Sequence, residues 1–348
     1  RGELLDEALV LWMPSPHSFT GEDVAEFHVH GGVAITDAVL EACLKIPNVR
    51  LAEPGEFTRR AFENEKLDLT QAEAVGDLID AETDAQRQQA LNQYEGRLKD
   101  VMEKWRSKLI QAMASLEAAI DFPDEDDVPL GIDTRAYGVL CDLRSDLVSN
   151  LEEASAGLST RDGFKIAIVG EPNAGKSSLL NAIVGREAAI VSDIPGTTRD
   201  IVEVRLILGG HVVWVSDTAG LRETVDVVEV EGVKRALARA SEADMKILVV
   251  PVDAESVPDI SLSDEDIVVF NKADKNKTPK RLFGDDRLRT IKKMETSTTS
   301  DAGIAELIRE MEHKVVAVHA NVPSPAITRR RHTALVQSAK SAIDRAIE

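Results

Sequence analysis

The sequence predicts a chain of several domains, α/β and all-α in class, with one α/β module set inside the helical part. Three observations carry that expectation. The run Gly170-Glu-Pro-Asn-Ala-Gly-Lys-Ser177 fits G-x-x-x-x-G-K-[ST], and it stands between an apolar strand-like run, Phe164 to Val169, and a helical one, Ser178 to Val184. Residues from about 70 to 160 are rich in Ala, Leu, Gln, Glu and Arg at helical spacing. Helical character returns from Ile327, beyond Asn321-Val-Pro-Ser-Pro325, which reads as a linker. A phosphate-loop module with helices on both sides implies insertion into a helical domain.

In chain order, residues 1 to 70 mix short apolar runs with Pro/Gly turns and read as α/β, with a strand over Ala8 to Met13. Thr83 to Ile120 predicts one long, mostly exposed helix, stopped by the prolines and charges of Asp121 to Pro129. A second helix is expected from Thr134 to Leu158. Strands and helices alternate from Gly163-Phe164 to about residue 316. The expected boundaries are therefore 1–70, 71–160, 161–318 and 319–348, the second and fourth being two parts of one helical domain.

Of the 348 residues 43% are hydrophobic, enough for real cores, and the formal net charge is −20. Such a field does not favour non-specific binding to nucleic acid or anionic membrane, so any RNA contact has to use a local basic patch. Cys43 and Cys141 match no metal spacing, which points to a reduced compartment and to two buried small hydrophobes. No stretch approaches the length of a membrane span, and no signal peptide is visible. Arg1 without an initiator Met, and a helical pattern still running at Glu348, predict a fragment truncated at both ends.

The glycines of the phosphate loop let backbone N–H groups close around phosphate oxygens, and the helix N-terminus adds positive dipole. Lys176 would reach the β/γ-phosphates and the Ser177 hydroxyl would ligate Mg²⁺. Asp217-Thr-Ala-Gly220 follows the apolar run Val212 to Val215. An Asp at a strand end holds Mg²⁺ through water, and a Gly there lets an N–H approach the γ-phosphate. Asn271-Lys-Ala-Asp274 follows Ile267 to Phe270. A carboxylate at Asp274 accepts from the N1–H and N2–H₂ edge of guanine and repels the N1 acceptor of adenine, so this box selects GTP over ATP. Between these lies Asp193-Ile-Pro-Gly-Thr-Thr-Arg-Asp200, where Thr197 or Thr198 offers a hydroxyl to Mg²⁺. The boxes, in this order, resemble those of translation-factor-related GTPases and imply a Ras-like fold. Leu221 stands where Ras-like enzymes place the Gln that orients water. Another residue must do that, and a cation must neutralise developing charge; candidates lie between Arg222 and Glu229.

Further runs widen the resemblance. Ser18-Phe-Thr-Gly-Glu-Asp-Val24, His30-Gly-Gly32, Pro54-Gly-Glu-Phe-Thr58, Lys66-Leu-Asp-Leu69, Ala119-Ile-Asp-Phe-Pro-Asp124 and Arg329-Arg-Arg-His332, with the GTPase boxes, are similar to the MnmE (TrmE) family of tRNA-modification GTPases over nearly the whole chain. That resemblance implies a GTPase activated by K⁺ and by dimerisation of the nucleotide modules. Asn173, Thr197 and the carbonyls of Ser192 and Ile194 match the family's K⁺ ligands. Ser177 and Thr198 match its Mg²⁺ ligands, and Glu229 matches the acid that orients water beside Lys176 and Asp217. The nucleotide contacts it implies run through Asn173, Ala174, Gly175, Lys176, Ser177 and Ser178, then Ser192, Asp193, Ile194, Pro195, Gly196, Thr197 and Thr198. They continue through Asp217, Thr218, Ala219 and Gly220, then Asn271, Lys272, Ala273 and Asp274. Ser297, Thr298 and Thr299 stand at the last guanine box, where the usual S-A-x is altered.

The first domain resembles the family's folate-binding module, with Glu26 and Lys66 matching residues that hold 5-formyl-tetrahydrofolate or a related folate. A third folate contact, an Arg, and the family's C-terminal C-x-G-K are not in this chain, so the fragment is expected to hydrolyse GTP without modifying tRNA. The implied function is C5 modification of the tRNA wobble uridine (carboxymethylaminomethyl or aminomethyl), as a homodimer joined to a FAD-dependent GidA-type partner in a heterotetramer. The implied setting is the bacterial cytoplasm, or the mitochondrial matrix in a eukaryote, with no membrane. An Era/Der-like ribosome-assembly GTPase is the alternative. It shares the GTTRD-like run and DTAG but lacks the Glu26/Lys66 domain.

Overall fold

The computed structural model describes residues 4–121, 132–186, 203–217, 243–258, 260–275, 288–320 and 325–348. Two compact units form, Arg1–Ala81 with Ala90–Glu103, and Glu82–Gln89 with Lys104–Glu348.

In the first unit β1 (Leu9–Met13) and β2 (Val24–His28) pair antiparallel, with Leu11 opposite Glu26. Helices α1 (Val33–Leu44), α2 (Glu56–Glu63) and α3 (Leu69–Ile79) follow. Asp68 and Gln71 form a reciprocal capping box at the start of α3, which satisfies two amides that a bare helix end leaves open. The connection from β1 to β2 is fastened to the end of α2. Asn64 donates to the Thr20 carbonyl at 2.9 Å and Lys66 to the Pro16 carbonyl at 2.9 Å. Ala61, Leu67, Ala74 and Leu98 are buried there.

The single helix expected over Thr83 to Ile120 is two helices, α4 (Asp84–Tyr94) and α5 (Arg97–Asp121). Gly96 adopts φ +97, and its N–H donates back to the Gln93 carbonyl. A left-handed residue that closes the last carbonyls ends a helix, and glycine does so without a Cβ clash. The residues before Gly96 favour helix, so propensity hid the break. The stop at Asp121 agrees with expectation; Phe122 to Gly131 lie outside the described residues.

In the second unit α6 (Ile132–Asp162) runs past the expected end at Leu158. Gln89 Nε2 donates to the Gly157 carbonyl at 3.0 Å and Gln86 Nε2 to the Arg161 carbonyl at 3.2 Å. Gln86 thus serves a carbonyl of the last turn, which has no donor within the helix, and Gln89 adds a contact one turn further in. Gly163, at φ +90, ends α6 and leads into β3 (Phe164–Val169). After α7 (Lys176–Arg186) come β4 (Glu203–Leu208), β5 (His211–Asp217), β6 (Met245–Pro251), β7 (Ile267–Asn271) and β8 (Lys292–Glu295). The sheet order is β4-β5-β3-β6-β7-β8, parallel except for β4. The inner strands are apolar without alternation because both faces are covered. α7 and α8 (Ile304–Ala320) cover one face with Leu179, Leu180, Ile183, Leu307 and Met311; Val252, Val257, Leu288 and Ile291 cover the other.

The last helix, α9 (Arg330–Ile347), starts three residues later than the Ile327 expected. Pro325 to Thr328 are buried instead, and Gly157 has no side chain where the Ile327 carbonyl comes in, since a Cβ would lie 2.3 Å from it. α9 then runs antiparallel along α6, with Arg144 Nε donating to Asp344 at 2.5 Å. Cys43 and Cys141 are free and half-buried rather than in the core. Among the described residues no helix is long and apolar enough to cross a membrane.

His211 of β5 stacks on His319 of α8, ring centroids 3.9 Å apart. The Val315 carbonyl lies 2.7 Å from His319 Nδ1 and can only accept, so Nδ1 carries the proton and Nε2 accepts from Ser159 Oγ at 2.9 Å. Burial first, and the neighbouring His319 second, push His211 down to about 4, and burial also lowers His319. Groups depressed in the fold stabilise it above their unfolded value and lose that contribution as pH falls through the folded one. Asp244, raised by burial, works in the opposite sense. We expect His211→Leu to shrink the fall in urea midpoint between about pH 6.5 and 4; a fall as large as that of the parent chain would assign the acid limb to other groups.

Candidate nucleotide site

A parallel sheet delivers its functional loops at one edge, beyond the carboxyl ends of the strands. Here β3 ends at Val169, β5 at Asp217 and β7 at Asn271. The phosphate loop follows β3. Its backbone enters the left-handed region at Asn173 (φ +61) and Gly175 (φ +96). Gly175 is obligatory on space as well, because a Cβ would lie 2.3 Å from Asn271 Nδ2. That Nδ2 donates to the Ala174 carbonyl at 3.1 Å, and both residues are at most 1% exposed. Lys272 Nζ donates to the Asn173 carbonyl at 2.7 Å. The loop is thus pinned at two successive carbonyls by the β7 box.

Lys176 opens α7 and is buried. Its ammonium donates to the carbonyls of Gly170 at 2.9 Å and Glu171 at 2.8 Å. Two of its three protons are therefore fixed and the third remains for an anion. Burial pushes its pKa down from the usual lysine range, against the pull of Asp217. A half-desolvated cation that lacks a full counter-charge is a strong site for phosphate oxygens. Ser177 Oγ donates to Asp217 Oδ2 at 2.5 Å. A hydroxyl and a carboxylate converging beside that lysine are hard oxygen donors of the kind Mg²⁺ takes. The residues present fit the ion: Ser177 would ligate it, and Asp217 would hold one of its waters.

At the base-recognition end Ser297 Oγ donates to Asp274 Oδ1 at 2.6 Å. Ser297 is 1% exposed, and its backbone N–H is fixed on the Ala302 carbonyl at 3.0 Å. The serine thus orients the Asp274 carboxylate and leaves its second oxygen for a ligand. Thr298 and Thr299 continue the turn. Sequence reasoning missed Thr296. It is fully buried, donates its N–H to the Phe270 carbonyl at 2.9 Å, accepts from Ala273 N at 3.1 Å, and reaches Asn271 Oδ1 with its hydroxyl at 3.4 Å. Its signal was its place directly after β8. The Glu171 carbonyl was missed too, since a backbone acceptor has no signature of its own.

Ser192, Asp193, Ile194, Pro195, Gly196, Thr197 and Thr198 lie outside the described residues, as do Thr218, Ala219, Gly220, Leu221 and Glu229. Of the residues matched to K⁺, only Asn173 is described, and it is exposed. In the first unit Glu26 is exposed on β2 with His28 Nε2 at 3.2 Å, while Lys66 is held by Pro16; the two do not bond to each other. Among the described residues no three His, Cys, Asp or Glu side chains gather as a metal cluster.

The sheet order, the phosphate loop and the paired Asn271 and Asp274 box define a P-loop nucleotide-binding protein of the GTPase class. Family models match almost the whole chain: the GTP-binding protein TrmE N-terminus over residues 1–66 and the MnmE helical domain over residues 69–348. The chain belongs to the MnmE family. It is 50% identical over 347 residues to the "tRNA modification GTPase MnmE" of Maricaulis maris, covering 99% of this chain and 77% of that protein. The protein of that name from Phenylobacterium zucineum is 47% identical over 350 residues, with 99% and 78% covered. Among solved structures the G domain of the T. maritima FeoB iron transporter matches 44% of this chain and 98% of its own at 24% identity and TM-score 0.31, too slight a likeness to add to the fold described above.

We expect Asn271→Ala to cost about 1–3 kcal/mol in urea unfolding, the range for leaving a buried acceptor unpaired. It should weaken GTP and GDP alike in fluorescence titration, because the loop it holds cradles phosphates common to both.

Proposed function

We infer that this chain is a GTP hydrolase acting in tRNA modification. The observation that carries the reading is the convergence of Lys176, Ser177, Asp217 and the Asn271–Asp274 box at one edge of the parallel sheet. Lys176 and the loop amides hold the phosphates. Ser177 would ligate Mg²⁺ and Asp217 would hold one of its waters, and the ion would supply charge neutralisation at the phosphates. Asp274, oriented by Ser297, reads the guanine edge.

Finer assignments extend this reading. The modified atom is C5 of the wobble uridine. Thr198 completes the Mg²⁺ set, and Glu229 orients the attacking water, the role Leu221 cannot take. Asn173, Thr197 and the Ser192 and Ile194 carbonyls hold a K⁺ that stands in for an arginine finger when two nucleotide modules face each other in a homodimer. Glu26 and Lys66 hold the folate that supplies the one-carbon unit, with a FAD-dependent GidA-type partner and a cytoplasmic setting. The domains run 1–70, 71–160, 161–318 and 319–348. Supporting this are the motif matches in the sequence and the family membership. GTP hydrolysis does none of the carbon chemistry; it drives a conformational cycle. Mass spectrometry of wobble uridines in cells lacking the full-length gene tests it: unaltered modification at C5 refutes it.

Two outcomes follow for the purified chain. Asp274→Asn replaces an acceptor with a donor facing the guanine N1–H and N2–H₂, so GTP affinity should fall by at least about a hundredfold. Xanthosine triphosphate, whose C2 carbonyl accepts, should regain part of the loss, and competition titration reads both. Hydrolysis should be faster in K⁺ than in Na⁺ at equal ionic strength; equal rates in the two salts remove the potassium assignment.

A further inference from the structure

Outside the residues assigned to the nucleotide site, one ring of contacts closes on itself. Glu82 forms an ion pair with Arg205 of β4. The Arg205 side chain is only 6% exposed and that of Glu82 is 51% exposed. Arg205 lies directly opposite Trp214 of β5, with its guanidinium carbon 6.0 Å from the ring centroid, within cation–π range. Trp214 Nε1 donates to the Asp162 carbonyl at 3.1 Å, at the end of α6. The ring lies against Gly163, where a Cβ would sit 2.6 Å from Cδ1. One residue back, Gln86 Nε2 donates to the Arg161 carbonyl at 3.2 Å, and Gln86 Oε1 accepts from Glu82 N at 2.9 Å. The circuit is complete: Glu82, Arg205, Trp214, the end of α6, Gln86, and Glu82 again.

Stability alone does not account for the cation. A buried guanidinium paired with a half-exposed carboxylate is often no better than an apolar side chain of similar size. One member of the ring sits on a strand that runs directly to the nucleotide site, and the end of α6 leads into another. Trp214 precedes Asp217 by three residues on β5, and its register partner Lys165 lies on β3, which leads into Gly170. Asp162 and Gly163 are the residues that join α6 to that same β3.

We propose that this ring is a clasp that couples occupancy of the Lys176–Asp217 site to residues 82–89, the entry and first turns of α4, with Arg205 and Trp214 as positioning residues. The proposal rests on the nucleotide reading above. Occupancy fixes the ends of β3 and β5, those strands carry the Trp214 ring and the Asp162 carbonyl, and Arg205 passes the constraint to Glu82.

Amide hydrogen exchange of residues 82–89, measured on the whole chain with and without GDP, tests it. Binding is followed in parallel with a fluorescent GDP analogue. GDP should slow exchange there on the order of fivefold, the lower end of ordinary coupling between sites. Glu82→Gln, at a half-exposed position, and Trp214→Phe, which keeps a ring over Gly163, should each abolish that response while the analogue still binds. Linkage is reciprocal, so each variant should also weaken the analogue by the factor lost in exchange. An unchanged response in both variants, or none in the parent chain while the analogue binds, overturns the clasp. No binding of the analogue to the parent chain overturns the nucleotide reading, and the clasp with it.

Discussion

The bond from Asn271 Nδ2 to the Ala174 carbonyl, with glycine at 175 to make room for it, holds the phosphate loop to the sheet. It links the end of β7 to the loop after β3, two strands away in the sheet. Because both partners are shielded from water, the bond acts in a low-dielectric setting, where a lost partner is costly. The rest of the site follows from it. With the loop fixed, Lys176 finds its two carbonyls on Gly170 and Glu171, and Ser177 faces Asp217. Thr296 and Ser297 then extend the same polar seam toward Asp274.

Charge is arranged along this seam with some economy. Cations are tied to carbonyls rather than carboxylates at the phosphate end, since both Lys176 and Lys272 donate to loop backbone. Carbonyl partners hold an ammonium in place without cancelling its charge, so the field stays available to an anion. At the other end the arrangement inverts, and a serine hydroxyl holds the carboxylate of Asp274 without neutralising it. Positive and negative ends therefore stand ready for the two ends of one ligand.

What could be read from the sequence divides along a physical line. The phosphate loop, Asp217 and the Asn271–Asp274 box are contiguous, and each follows an apolar strand, so short-range pattern carries both fold and chemistry. The strands at 164–169, 211–217 and 267–271 were legible for the same reason. The break at Gly96 was not, because its neighbours favour helix and only a left-handed backbone angle marks it. The non-helical stretch before α9 was also missed, since it depends on the close approach of the Ile327 carbonyl to Gly157, 170 residues upstream. Backbone acceptors such as the Glu171 carbonyl, and pairs distant in sequence such as Glu82 with Arg205, leave no local trace.

The 31 residues of α6 end one residue before the strand that carries the phosphate loop. At 1.5 Å per residue such a rod is about 46 Å long. It is stiffened along part of its length by α9, and it joins the sheet at Gly163, with Trp214 and His319 holding its last turn. A swing of roughly 10° at that joint would sweep the far tip through about 8 Å, from the same geometry. Angular adjustments too small to disturb the sheet would thus become displacements the size of a side chain at the opposite end of the bundle.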